Sequence, residues 1–385
     1  MLSNHISSSV DLPIEAYTGT TSDYYIEKFE RILSFILEHS FWKGTEIIYY
    51  SWSFKPSCPN ALSGNTKKVI DVASSIFFFF PRLGGCFIGA GWSLASIPIY
   101  FLAQLVRAPL NLMSHRGFAY LPGEKKAANS DSSEIRLCVL NTCMLSGCLP
   151  RFFGGQSPAT TRVESLASFI KVDGNVPDLL FLCEVGRTVE RSLVKELEKD
   201  YRHFFLGAGL SSLQESGLFV ASNCTLTKAP CFKTYKTKGL SFQSLYNRGF
   251  FVFHTKTANF IFTHLSPGKK PKHEAIRQQQ LNEIRTFIRS SNSGEQTSWI
   301  LVGDLNTHQF DPKKSQNGQD LNVKFNTLLP AKLKNEPTTL DSRKQPIDHV
   351  LGFQCQNLKL KNATIKDKKT LSDHKAIRGT ISVSS

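Results

Sequence analysis

The sequence predicts an α+β sandwich preceded by an apolar N-terminal region. Between residues 134 and 385, short apolar runs of strand length alternate with a few segments of helical periodicity. Several of those runs break off at a polar residue of catalytic type, and a stretch rich in Gly, Pro and charge separates them from the apolar region upstream.

The chain of 385 residues is long enough for one large domain with an appendage. Its 46 basic and 31 acidic residues give a net charge of +15 and a pI near 9.4, which favours polyanionic partners, either nucleic acid or an anionic membrane surface. The nine cysteines form no CxxC pair, and Cys138, Cys143 and Cys148 stand five apart without flanking histidines. That spacing argues against zinc and against a disulfide framework, and predicts free thiols in a reducing compartment.

Taken in order, residues 1–71 hold one amphipathic helix at 24–39, where Ile26, Phe29, Ile32, Leu33, Ile36 and Leu37 recur at helical spacing. The first twenty residues lack the basic start and apolar core of a signal peptide. Residues 72–113 read as a hydrophobic segment: the uncharged part from 83 to 106 exceeds the roughly 20 apolar residues that span a bilayer, and its glycines and Pro98 are tolerated in membrane helices. A membrane-embedded span or hairpin is the expectation there, with a buried hydrophobic arm as the alternative. Basic residues flank both ends, so topology stays open. Residues 114–133 have linker composition.

The domain at 134–385 then reads as strands at 135–140, 178–183, 217–222, 249–254, 259–263, 299–302, 347–353 and 375–383, with helices at 160–172, 188–199 and 273–289. The central stretch is 299–308, an apolar run closing at Gly303-Asp304-Leu305-Asn306, where an extended backbone points Asp304 and Asn306 to one face. Alone, this pattern is ordinary turn chemistry. Asn141, Glu184 and His264 also follow apolar runs, while Asp348 follows Pro346-Ile347, and Asp373 and His374 follow Leu371-Ser372. Polar residues converging from strand ends build one site on a rigid scaffold.

This inventory fits phosphate-ester hydrolysis. A hard cation such as Mg²⁺ takes oxygen ligands. Glu184 is the leading ligand, helped by Asn141, Asp373 and Asp304. His374 is the expected base and His264 the donor to charge gathering on phosphorus, with Asp348 accepting the second N–H of His374 and so fixing its tautomer.

The segments at Asn141, Leu182-Cys183-Glu184-Val185, Ser216-Gly217-Leu218, Asn247-Arg248-Gly249, Thr263-His264-Leu265, Gly303-Asp304-Leu305-Asn306, Ile347-Asp348-His349 and Ser372-Asp373-His374 occur in the order of the endonuclease/exonuclease/phosphatase (DNase I-like) superfamily. As an ordered set over about residues 134–383 they resemble that superfamily closely. The resemblance implies a four-layered α/β sandwich and hydrolysis dependent on Mg²⁺, with Mn²⁺ as a substitute. Within it, the chain is most similar to neutral sphingomyelinases, through residues 140–151, 215–222, 263–267 and the Arg/Gln helix segment 275–281.

The resemblance gives Asn247, Arg248 and Asn306 to substrate, and Asp304 and Asn306 to placing water and phosphate. Three departures stand out: Cys183 precedes the metal-site Glu where the family has Gln; Gln243 and Arg248 replace an Asp and a Lys; and Lys375 follows the final His. Arg248 would bind phosphate as a fork rather than a point charge. The expected function is a membrane-associated phosphodiesterase acting on a phospholipid. A phosphoinositide phosphatase, a nuclease, and a membrane-tethered inert interaction protein are the alternatives, and export to act on another cell's lipids is left open.

Overall fold

The computed structural model describes residues 43–53, 79–113, 117–125, 134–145, 156–172, 175–209, 216–237, 248–292, 298–307, 324–340, 345–355, 357–368 and 370–383. The amphipathic helix expected at 24–39, and Asn247, lie outside them.

Two helices come first, α1 (Lys43–Ser53) and α2 (Phe79–Met113). Then follow β1 (Ala119–Pro122), β2 (Glu134–Met144), α3 (Val163–Ile170), β3 (Leu179–Val185), α4 (Arg187–Leu197), β4 (His203–Leu206), β5 (Phe219–Ser222) and β6 (Leu226–Thr234). The chain continues through β7 (Gly249–Thr255), β8 (Asn259–His264), α5 (Pro271–Ser291), β9 (Trp299–Asp304), β10 (Asn326–Thr327), β11 (Asp348–Phe353), β12 (Leu358–Lys366) and β13 (Ala376–Val383).

The strands form a seven-stranded sheet, β1-β4-β5-β3-β2-β13-β12, and a six-stranded sheet, β10-β11-β9-β8-β7-β6. Each contains one parallel pair, β2 with β3 and β8 with β9, crossed over by α3 and α5 respectively. Side-chain alternation assigns the layers. Leu137, Val139, Phe181, Phe251, Phe260, Phe262, Ile300 and Val302 face inward into a core shared by both sheets. Their neighbours Cys138, Leu140, Leu180 and Leu182 pack outward under α3 and α4, and Ile261 and Leu301 pack under α5. The expected sandwich with helices outside is therefore observed, as four layers.

Two expectations are corrected. Residues 119–122, expected as linker, are the edge strand β1, antiparallel to β4, with Phe118 and Tyr120 buried. Two aromatics two apart outweigh the Gly, Pro and charge around them, and Pro122 is accommodated because it closes an edge strand. The transmembrane reading of 72–113 is not met: among the described residues no helix is long and apolar enough to cross a membrane.

Gly89 and Ser93 of α2 meet α1. A Cβ on Gly44 would lie 2.7 Å from the carbonyl oxygen of Gly89, so the two backbones touch. Ser93 and Ser96 are buried, whereas Phe87, Ile88, Trp92, Leu94, Ile99, Leu102 and Leu105 are exposed.

Candidate active site

Sheet register places the chemistry. In the six-stranded sheet Asp304 ends β9, its partner on β8 is His264, and its partner on β11 is Asp348. Because β11 runs antiparallel to β9, the first residue of β11 lies at the same edge as the last residue of β9. In the other sheet Asn141 pairs with Cys183, and Glu184 follows. Both sheets thus end their parallel pairs over one spot, where Asn141 meets Asp304.

Local backbone turns these ends toward one another. Glu184 has φ 57° and Asn306 φ 52°, both left-handed, and Gly303 has φ 131°. A Cβ on Gly303 would sit 1.9 Å from the carbonyl oxygen of Thr263, so only glycine allows β8 and β9 to approach here. The Asn306 amide N–H donates to Asp304 Oδ1 at 2.9 Å, and Asn306 Nδ2 donates to the Leu265 carbonyl at 3.1 Å.

Asp304 is the hub. Asn141 Nδ2 donates to its Oδ2 at 2.9 Å, His264 Nε2 stands 3.6 Å from the same oxygen, and His374 Nε2 stands 4.0 Å from it. His264 Nε2 also lies 3.8 Å from Glu184 Oε1, yet makes no hydrogen bond among the described residues. His374 Nδ1 and Asp348 Oδ2 are 2.7 Å apart and buried. Thr338 Oγ1 accepts the Asp348 amide N–H at 3.1 Å, and Ser372 Oγ accepts that of His374 at 3.0 Å, so both partners are held at the backbone.

Electrostatics divides the groups. Burial, followed by repulsion from Asp348, raises Asp304 to about 7. Burial also raises the Glu184 carboxyl, although Asn141 counters by hydrogen bonding. Burial alone would lower His374, but the charge and hydrogen bond of Asp348, together with Asp304 and Asp373, raise it to about 10. His264 moves the other way, well below the usual histidine value, because it is buried and lies near the Arg248 and His374 charges. One imidazole is therefore held charged and the other neutral.

The residues present suit a divalent cation. Glu184 and Asp304 are raised partly by each other or by further carboxylates, a like-charge crowding that a hard cation relieves. Glu184 has a quarter of its side chain exposed, so its oxygens can be reached from outside. Asp304, Asp348 and His374 also come within 4.8 Å of one another, but His374 Nδ1 and Asp348 Oδ2 are occupied by their mutual bond. Asn141 Oδ1 accepts the Cys143 amide N–H at 3.1 Å, leaving one lone pair for other use.

Of the other expected residues, Asp373 is half-buried beside these groups. Arg248 is buried, and its Nη1 donates to the His264 and Leu265 carbonyls at 3.1 and 3.2 Å. Its charge reaches Glu184 and His264, so it shapes the site as well as facing it. Sequence reasoning missed Thr338 and Arg162. No spacing signals them, because each acts on main-chain groups brought together only by the fold.

The site is therefore a carboxylate and imidazole cluster at the joined edges of two sheets, built for charge stabilisation and proton transfer. No protein-family model and no curated protein matches the chain. Among solved structures, it is similar to a mutant beta toxin from Staphylococcus aureus with bound magnesium ions, at 19% identity over 66% of this chain and 100% of that one, TM-score 0.48. It is also similar to sphingomyelinase C from Streptomyces griseocarneus, at 14% identity over 64% and 99%, TM-score 0.44. A third is a humanized D. rerio TDP2, at 17% identity over 66% and 100%, TM-score 0.44. At these TM-scores the functional reading rests on the site itself.

Proposed function

We propose that this chain is a divalent-metal-dependent phosphodiesterase, with Mg²⁺ as the resident ion, that cleaves a membrane phospholipid in the manner of a sphingomyelinase C. The observation that carries it is the convergence of Asn141, His264 and His374 on Asp304 Oδ2, beside the Glu184 carboxylate. Glu184, Asp373 and the remaining lone pair of Asn141 would hold the ion, which supplies Lewis-acid polarisation of a phosphoryl oxygen.

The chain's own groups do the rest. Asp304, raised to about 7, can accept a proton from an attacking water near neutral pH. His374, held in one tautomer by Asp348, exchanges a proton through Nε2, which faces Asp304. His264 Nε2, without a hydrogen bond among the described residues, suits donation to charge growing on phosphorus. Asn306 and Arg248, fixed through the Leu265 carbonyl, frame the phosphate position, with Asn247 assigned alongside.

A lipid substrate is supported by the α1/α2 pair. Helix pairs that face lipid place small residues between them and large apolar residues outside. Gly44, Gly89, Ser93 and Ser96 lie inward on these helices, while Phe87, Ile88, Leu94, Leu102 and Leu105 are exposed. This reading has α2 lying in one face of a membrane without crossing it.

Sphingomyelin vesicles, phosphoinositide vesicles and plasmid DNA, each with Mg²⁺ and with chelator, test the proposal. Phosphocholine release that needs Mg²⁺ and disappears in Glu184→Gln supports it. Activity confined to phosphoinositides or to DNA would redirect the substrate, and no hydrolysis of any of them together with no Mg²⁺ binding would leave an inert scaffold.

A further inference from the structure

We infer that Arg162 is a positioning residue that sets the spacing between Asn141 and His374 by clamping the chain next to each. Arg162 ends the 3-10 turn before α3 and is 3% exposed. Its Nη1 donates to the Thr142 carbonyl at 3.0 Å and to that of Leu371, its Nη2 to the Cys143 carbonyl at 2.6 Å, and its Nε to the Ser157 carbonyl at 3.0 Å.

Two of those carbonyls follow Asn141 directly, at the point where β2 slips register against β3 and Cys143 takes φ 47°. A strand leaving its ladder there turns carbonyls away from ladder partners, and buried carbonyls require donors. Another of the four, that of Leu371, opens the segment that carries Ser372, Asp373 and His374. From that segment Ser372 Oγ donates to the Asn141 carbonyl at 2.6 Å and accepts the His374 amide N–H. The fork of Arg162 and the hydroxyl of Ser372 therefore tie the Asn141 strand end to the His374 loop, which lie about 230 residues apart in sequence.

The fork matters as much as the charge. A planar guanidinium reaches several carbonyls at fixed angles, whereas an ammonium on a similar stem cannot reproduce them. A small displacement of a catalytic group costs turnover without weakening substrate binding to the same degree. The effect on turnover rests on the phosphodiesterase reading, but the clamp itself does not.

The test compares Arg162→Lys, Arg162→Ala and, as control, Arg378→Lys. Arg378 instead binds the Phe169 and Ile170 carbonyls at the end of α3. Hydrogen exchange by mass spectrometry reads peptides 140–145 and 370–376, and kinetics use bis(p-nitrophenyl) phosphate with Mg²⁺. Arg162→Lys is expected to exchange faster in both peptides and to lose about 100-fold in kcat with little change in KM. Millimolar guanidinium ion should restore part of the kcat of Arg162→Ala, while Arg378→Lys keeps its kcat even where its thermal midpoint falls. Unchanged exchange in the two peptides overturns the inference, as does a kcat loss that Arg378→Lys matches at equal destabilisation. If the wild type cleaves no phosphodiester, the functional reading fails and the exchange result alone decides the clamp. If Arg162→Ala does not fold, Arg162→Lys decides it.

Discussion

His374 Nδ1 and Asp348 Oδ2 lie 2.7 Å apart, and they come from different sheets: His374 from the loop entering β13, Asp348 from the first residue of β11. Their bond is thus a tie between the two halves of the sandwich as well as the device that orients the imidazole. Thr339 and His374 also pair as an isolated bridge, which seats the loop against the second sheet.

Asp348→Asn should retain the fold and lose roughly 100-fold to 10,000-fold in kcat, the range spanned by positioned proton-transfer groups. The amide keeps the shape but neither fixes the imidazole tautomer by accepting as an anion nor holds its charge. Steady-state kinetics alongside circular dichroism checks this, and a variant with near wild-type kcat would remove His374 from proton transfer.

Metal-free stability should fall with rising pH, and His374 should account for part of the slope. Its folded value, about 10, exceeds the unfolded value near 6.5, so its contribution is complete below about pH 6.5 and is lost as pH rises through about 10. Asp304, raised to about 7, has a folded state that also favours the protonated form, and its contribution is lost as pH climbs from about 4 through 7. Urea midpoints of wild type and His374→Asn, followed upward from neutral pH in chelator, should converge. A constant gap would show that His374 is not charged in the folded protein.

Glu184→Gln should abolish or sharply weaken Mg²⁺ binding measured by calorimetry while leaving the urea midpoint in chelator equal to or above that of wild type. Burial raises the Glu184 carboxyl, so folding keeps its charge at a cost when no cation is present. Undiminished Mg²⁺ affinity would move the ion to another carboxylate.

Strand ends were the legible part of the sequence because burial and alternation operate within a few residues. Apolar runs closing on Glu184, His264 and Asp304 announced the β-strands and the candidate site, and the register then needed only antiparallel pairing to bring Asp348 beside Asp304. Protonation was not legible: His264 and His374 follow similar local patterns but move in opposite directions, one beside Arg248 and the other against Asp348. The edge strands β1 and β12 were also hidden. One is short and ends in Pro122, and the other alternates leucine with lysine, as exposed edges do. Helix α2 was only partly legible, since composition alone does not tell that Gly89 and Ser93 meet another helix, α1, while Gly84 and Gly91 face open space.

Gly303→Ala offers a sharp test of the architecture. Its φ of 131° is one that L side chains rarely adopt, and the added Cβ would meet the Thr263 carbonyl oxygen at 1.9 Å, a backbone atom that cannot swing aside. Relief requires β8 and β9 to part at the very pair that aligns His264 with Asp304. Strained backbone of this kind costs about 1–3 kcal/mol before the clash is added, so Gly303→Ala should lose at least that in urea unfolding and should lose turnover in any fraction that folds. Gly91→Ala supplies the contrast: nothing lies within 4 Å of its Cβ position in α2, and alanine in a helix should gain roughly 0.5–1 kcal/mol. If Gly303→Ala proved as benign as Gly91→Ala, the close approach of β8 to β9, and with it the placing of His264 against Asp304, would be wrong.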